Sequence, residues 1–182
     1  MHPTLNQAVL EIERHVAASG WDQPARLYAL VDTVALVRSE PGLAADLGLP
    51  ADLPVEVLPQ SFTPIEQDEF PADQPLDEAL ARIVWGPAVD GCALSVERLM
   101  LPPEAEAGLP DSDAEAQAYA AGHPGRQEVR IVVGVLRDGS VEGALRLRTA
   151  DRDDAVVFGS GLVPGLAEAL AATFADPPED EV

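Results

Sequence analysis

Residues 126–148 read RQEVRIVVGVLRDGSVEGALRLR, an Asp-Gly pair set between two alternating apolar runs. No other stretch limits the fold as tightly. An Asp-Gly step favours positive φ, which a two-residue hairpin turn requires, so the flanking runs are expected to pair as adjacent antiparallel strands. A turn on Asp138 and Gly139 matches 137 with 140, 135 with 142, 131 with 146 and 129 with 148, and each pair shares a face. Arg137, Arg146 and Arg148 are then expected beside Val129, Ile131, Val133 and Val135, with Arg130 on the opposite side.

The strands on either side extend the pattern. Gly91 to Leu101 reads as a strand that Pro102 and Pro103 stop. Asp151 to Asp154 is expected to turn the chain into Ala155–Phe158, which makes a late meander. Earlier, Leu5, Val9, Ile12 and Val16 form one helical stripe ended by Gly20, with Thr4 and Gln7 matching a capping box. Arg26 to Val31 has strand length, and Asp32 or Thr33 can cap a helix that ends before Pro41. A further helical turn is expected up to Gly48.

Prolines at 50, 54, 59, 64, 71 and 75 make the segment 50–75 a long loop, with Val55–Leu58 as a candidate edge strand. Pro75 opens a helix whose apolar face is Leu76, Ala79, Leu80, Ile83 and Val84. A weak helix is expected between Pro110 and Pro124, capped by Asp111, and a last one from Pro164 burying Leu166, Leu170 and Phe174. Residues 176–182, DPPEDEV, read as an acidic tail. The expected fold is α+β: one domain over 1–175, an antiparallel sheet with a late meander and helices packed mainly on one face.

Charge narrows function. With 32 acids against 11 bases and a formal charge of −21, the surface repels nucleic acid and anionic membrane. All bases are arginine; without lysine there is no Schiff-base or pyridoxal-phosphate chemistry, no phosphate-loop lysine and no kinase lysine. The single cysteine, Cys92, shares strand parity with Leu94 and Val96, so a buried small hydrophobe is expected instead of a nucleophile. A Cys92–His123 couple remains open on order alone. His2, His15 and His123 lack metal-ligand spacing, and Asp151-Arg152-Asp153-Asp154 lacks the glycine and final glutamate of a calcium loop. No metal or cofactor is expected. The amino-terminal MHPTLNQAVLEIERH has no apolar run of export-signal length, and no stretch reaches a membrane span, so the cytoplasm is the expected location.

The run Phe158 to Gly165 leads from a strand into a helix, but it lacks the early strand–helix–strand context of a dinucleotide site, and a plain glycine turn is expected. Five of the eleven arginines lie in the opening stretch. Arg146 and Arg148 either lay their stems over an apolar edge and pair with acids, or clamp a carboxylate from positions roughly 7 Å apart. Trp21 and Asp22 suit a pocket rim. Arg146, Arg148, Trp21 and Asp22 are therefore the candidate ligand-binding residues.

Gly20-Trp21-Asp22-Gln23-Pro24, Asp90 to Arg98, His123 to Gly139 and Val163-Pro164-Gly165-Leu166 together resemble an uncharacterised family of acidic single-domain actinobacterial proteins. The resemblance spans nearly the whole chain and implies no activity, cofactor or catalytic residue. Two functions follow as expectations: a non-enzymatic binding or adaptor domain that meets a basic protein partner, or an enzyme whose strand arginines hold a small anionic substrate beside an Asp or Glu acid–base group.

Overall fold

The computed structural model describes residues 3–49, 61–68, 70–71 and 74–175. Helix α1 spans Pro3–Ala18 and strand β1 Arg26–Asp32; α2 (Thr33–Ser39) and α3 (Pro41–Asp46) follow. Next come β2 (Phe62–Glu66), α4 (Leu76–Leu80), β3 (Gly91–Met100), α5 (Pro103–Glu106) and α6 (Asp113–Gly122). The chain then runs through β4 (Gln127–Leu136), β5 (Val141–Leu147), β6 (Val157–Phe158) and α7 (Pro164–Ala172). All strand pairs are antiparallel, in the order β2-β1-β3-β4-β5-β6. The α+β class and the late meander β3 to β6 are as expected.

The helices do not gather on one face, and here the expectation is corrected. Leu5, Val9, Ile12 and Val16 of α1 pack on Tyr28, Leu30, Ala93, Val132 and Ala144. Leu170 and Ala167 of α7, with Leu80 of α4, pack on Leu27, Cys92, Leu94, Ile131 and Val133 from the other side. Strand β4 is buried along both faces, so the alternation expected of it is corrected to a nearly continuous buried run. Each fully buried leucine in these two layers stabilises the fold by about 1.5–3 kcal/mol.

The hairpin register is also corrected. Strands β4 and β5 pair Val129 with Leu147, Arg130 with Arg146 and Val135 with Val141, one residue off the two-residue-turn expectation. Leu136 N donates to Ser140 O and Gly139 N to Leu136 O, both at 2.9 Å, so Arg137, Asp138 and Gly139 form a three-residue loop. Gly139 takes φ +85, the left-handed residue that such a loop needs, and Ser140 N donates to Asp138 Oδ1 at 2.8 Å. Because side chains alternate, that single step moves Arg146 to the α1 face beside Arg130.

Strand β2 lies inside the segment expected to be a loop. Thr33 N donates to Ser61 O and Gln67 N to Leu27 O, so the bonded positions are 61, 63, 65 and 67, and Pro64 falls where no ladder donor is required. The Val55–Leu58 strand and the 176–182 tail fall outside the described residues. Asp32 Oδ1 accepts from Ala35 N at 2.8 Å, the expected cap. Three smaller expectations are revised. Thr4 lies inside α1, which starts at Pro3; Ser112, not Asp111, precedes α6; and α4 stops at Leu80, leaving Val84 84% exposed.

Candidate functional site

The turn after α1 carries Gly20 at φ +83 and Asp22 at φ 64, a conformation that aspartate tolerates better than most residues. It brings Trp21 and Asp22 against the ends of β3, β4 and β5. Asp22 N donates to Glu97 Oε2 at 2.8 Å, and Trp21 Nε1 donates to Asp151 Oδ2 at 2.9 Å. Two guanidinium groups lie against the indole ring, Arg130 at 4.4 Å and Arg148 at 5.5 Å from its centroid.

Each arginine of this cluster is bound to carboxylates. Arg146, 3% exposed, donates from Nε and Nη2 to both oxygens of the equally buried Glu13 on α1, and also bonds Asp151 at 3.1 Å and Asp153 at 2.8 Å. Arg148 has left the strand for a short 3-10 turn, Arg148–Ala150, and forks onto Asp22 with two bonds of 2.9 Å while also reaching Glu128. Arg130 donates to Glu97 Oε1 at 3.0 Å and to Gly20 O, and its Nε and Nη1 have no hydrogen-bond partner among the described residues. Three guanidinium groups thus face six carboxylates, Glu13, Asp22, Glu97, Glu128, Asp151 and Asp153.

The pairing sets the proton affinities. The fork from Arg148 lowers the Asp22 pKa, and the indole N–H, followed by Arg146, lowers that of Asp151. Glu13 first, then Asp153 and Asp151, raise Arg146 further above its already high value, while Asp22 and Glu128 do so for Arg148. The four candidate residues Arg146, Arg148, Trp21 and Asp22 therefore do come together. Arg130 joins them, which the expected register had put on the far side.

The other sequence candidates are dispersed. Cys92 is fully buried beneath α7, near Thr173 Oγ1 at 3.9 Å, and burial pushes its thiol up to about 12. His123 accepts from Gly125 N and packs against Tyr119, so nothing couples it to Cys92. Among the described residues no group of His, Cys, Asp and Glu has metal-ligand geometry. Glycines 159 and 161 lie in a plain turn into α7, whose first residue is Pro164 and second is Gly165.

Of the three larger cavities, the first reaches the edge of the Trp21 cluster at Glu97 and the other two lie away from it. The first, about 850 Å³, separates α6 from β3 and the segment before α4, with Phe70, Leu76, Leu99 and Ala120 on its walls. A second, about 530 Å³, is bounded by Ile83, Trp85, Phe174 and Arg137, whose guanidinium stacks 4.7 Å from the Phe174 ring and donates to the carbonyls of Gly86 and Val89. A third, about 370 Å³, opens between α1 and the β1–β2 edge and includes Tyr28. Periodicity gave no sign of the last, because a tyrosine inside an apolar strand looks like core.

These features define an acidic α+β domain with internally neutralised arginines and several apolar clefts. The chain belongs to the PPA1309-like protein family, whose model matches residues 5–175. That agrees with the resemblance carried by the Trp21, Asp90 and His123 segments. No curated protein and no solved structure matches the chain. No helix among the described residues is long and apolar enough to cross a membrane.

Proposed function

We propose that this chain is a non-enzymatic cytoplasmic binding or adaptor domain whose negative surface meets a basic protein partner. One observation carries the reading: three of the five arginines of residues 126–148 are neutralised from within, their guanidinium groups facing six carboxylates. With those cations withdrawn, the field of a chain of charge −21 reaches solvent with little to interrupt it. Such a field steers cationic partners and repels nucleic acid and anionic lipid. The same pairing weighs against the enzyme reading, because a substrate anion would have to displace Glu13 from a buried, two-bonded arginine.

The test is affinity capture from native lysate at low and raised salt. A partner of basic isoelectric point that is retained at low salt and released by raised salt supports the reading. Repeated capture of acidic proteins only, or of none, overturns it. Saturable binding of phosphate or a dicarboxylate that Arg148→Gln abolishes would favour the enzyme reading instead.

A further inference from the structure

Tyr28 lies in β1 on the α1 face and is 3% exposed, yet among the described residues no group completes a hydrogen bond with its hydroxyl, although the Arg26 and Glu66 side chains stand close enough to act on it. Buried phenols nearly always find one, because an unmatched polar group in a low-dielectric interior is costly. The residue borders the 370 Å³ cavity, a volume in the range of small-molecule sites. Ile12, Leu47, Pro64 and Ile65 supply apolar walls; Glu11, His15 and Glu66 supply the polar groups.

Glu66 is Tyr28's cross-strand neighbour in β2, at a position where the ladder makes no hydrogen bonds and side chains approach most closely. Its carboxylate is 36% exposed and lies 3.7 Å from Arg26 Nε and 3.9 Å from His15 Nε2. Both distances exceed a hydrogen bond, so Arg26 and His15 hold the carboxylate by charge and leave its oxygens able to accept from a ligand. Burial first, and the Glu66 charge second, raise the Tyr28 pKa, so the phenol stays neutral and its oxygen can accept. Arg26 offsets one of the two carboxylates, which leaves the site net negative.

We propose that this cavity binds a small primary amine with an apolar stem. The ammonium lodges between the Glu66 carboxylate and the Tyr28 hydroxyl, and the stem lies along Ile12, Leu47, Pro64 and Ile65. An ammonium offers three donors and no acceptor, the complement of two carboxylates and a phenol oxygen. An anion of the same shape meets Glu11 and Glu66 with the wrong sign. This site is separate from the surface that would meet a basic protein, and each can fail without the other.

The experiment titrates phenethylamine into the full chain by amide NMR, with 3-phenylpropionate as the oppositely charged analogue of the same ring. Saturable shifts centred on Ile12, Tyr28 and Ile65 are expected for the amine, with Kd of about 1 mM or tighter, and none for the acid. Tyr28→Phe should weaken the amine about tenfold, the size of one good hydrogen bond, while its urea midpoint stays equal to or above the parent's. Glu66→Gln should weaken it at least as much; this residue is part-exposed, so the variant serves even if Tyr28→Phe folds poorly. Failure of the amine to bind, equal binding of the acid, or amine affinity unchanged in Glu66→Gln overturns the proposal. A clearly lower urea midpoint for Tyr28→Phe with unchanged affinity would also overturn it, by giving the hydroxyl a structural task.

Discussion

Strand β4 presents Val129, Ile131, Val133 and Val135 to α7, and Arg130, Val132, Gly134 and Leu136 to α1, and the two interfaces differ in kind. The α7 side is apolar apart from Cys92 and Thr173, held by packing that has no preferred partner for any one group. The α1 side buries Glu13, Arg130, Glu142 and Arg146. There Glu13, Arg130 and Arg146 each depend on a specific counterpart, so its interface is exacting where the other is tolerant. Buried ion pairs add little net stability over apolar packing, but breaking one leaves a stranded charge.

The largest predicted effect lies on the exacting side. Glu13→Ala leaves the Arg146 guanidinium buried with only its exposed partners Asp151 and Asp153, and should lower unfolding free energy by about 3–5 kcal/mol in urea denaturation. Replacing both members, Glu13→Leu with Arg146→Met, should regain most of that loss. If the double variant is no better than the single one, the pair does more than neutralise itself. On the tolerant side, Leu170→Ala should cost about 2–4 kcal/mol through the cavity it opens, and Leu170→Met under about 1.5 kcal/mol.

Acid should separate the two sides next. Asp22 and Asp151 have folded pKa values below their ordinary ones, so folding favours their ionised forms. Their contribution is complete above the ordinary carboxylate range and is lost as pH falls through it toward the folded values. The urea midpoint should therefore decline as pH drops below about 4, and Asp151→Asn should flatten that decline. Leu170→Ala should keep the parent's slope. The smallest effect concerns Cys92, whose thiol burial pushes up to about 12: iodoacetamide at neutral pH should leave it unlabelled in the folded chain and label it in urea.

What could be read from residues alone follows the range of the interactions. Local signals carried far: the α1 stripe, the Asp32 cap, the β3–β6 meander, α7 and the buried Cys92 are as expected. The missed features each turn on a choice that local chemistry leaves open. Asp-Gly serves two- and three-residue loops alike, and only Leu136 pairing with Ser140 selects the latter, which carries Arg146 to the other face. Pro64 argued against a strand, yet at an edge position that makes no ladder bond it is harmless. The apolar run of β4 reads as alternating, which puts the helices on one face, whereas the strand is buried on both and helices cover both sides. The Trp21 cluster joins residues as far apart as 133 positions, Glu13 to Arg146, beyond any spacing rule.

The arginine Nε–Hε NMR spectrum in the absence and presence of inorganic phosphate or succinate tests most directly whether the β4–β5 arginines are held by internal carboxylates. The expected result is an Arg146 Nε–H signal that exchanges slowly with solvent and does not move on titration, while Glu13→Ala makes it exchange rapidly. Saturable movement of the Arg146 and Arg148 signals on adding either anion would contradict it, and would return these side chains to the role of a ligand clamp.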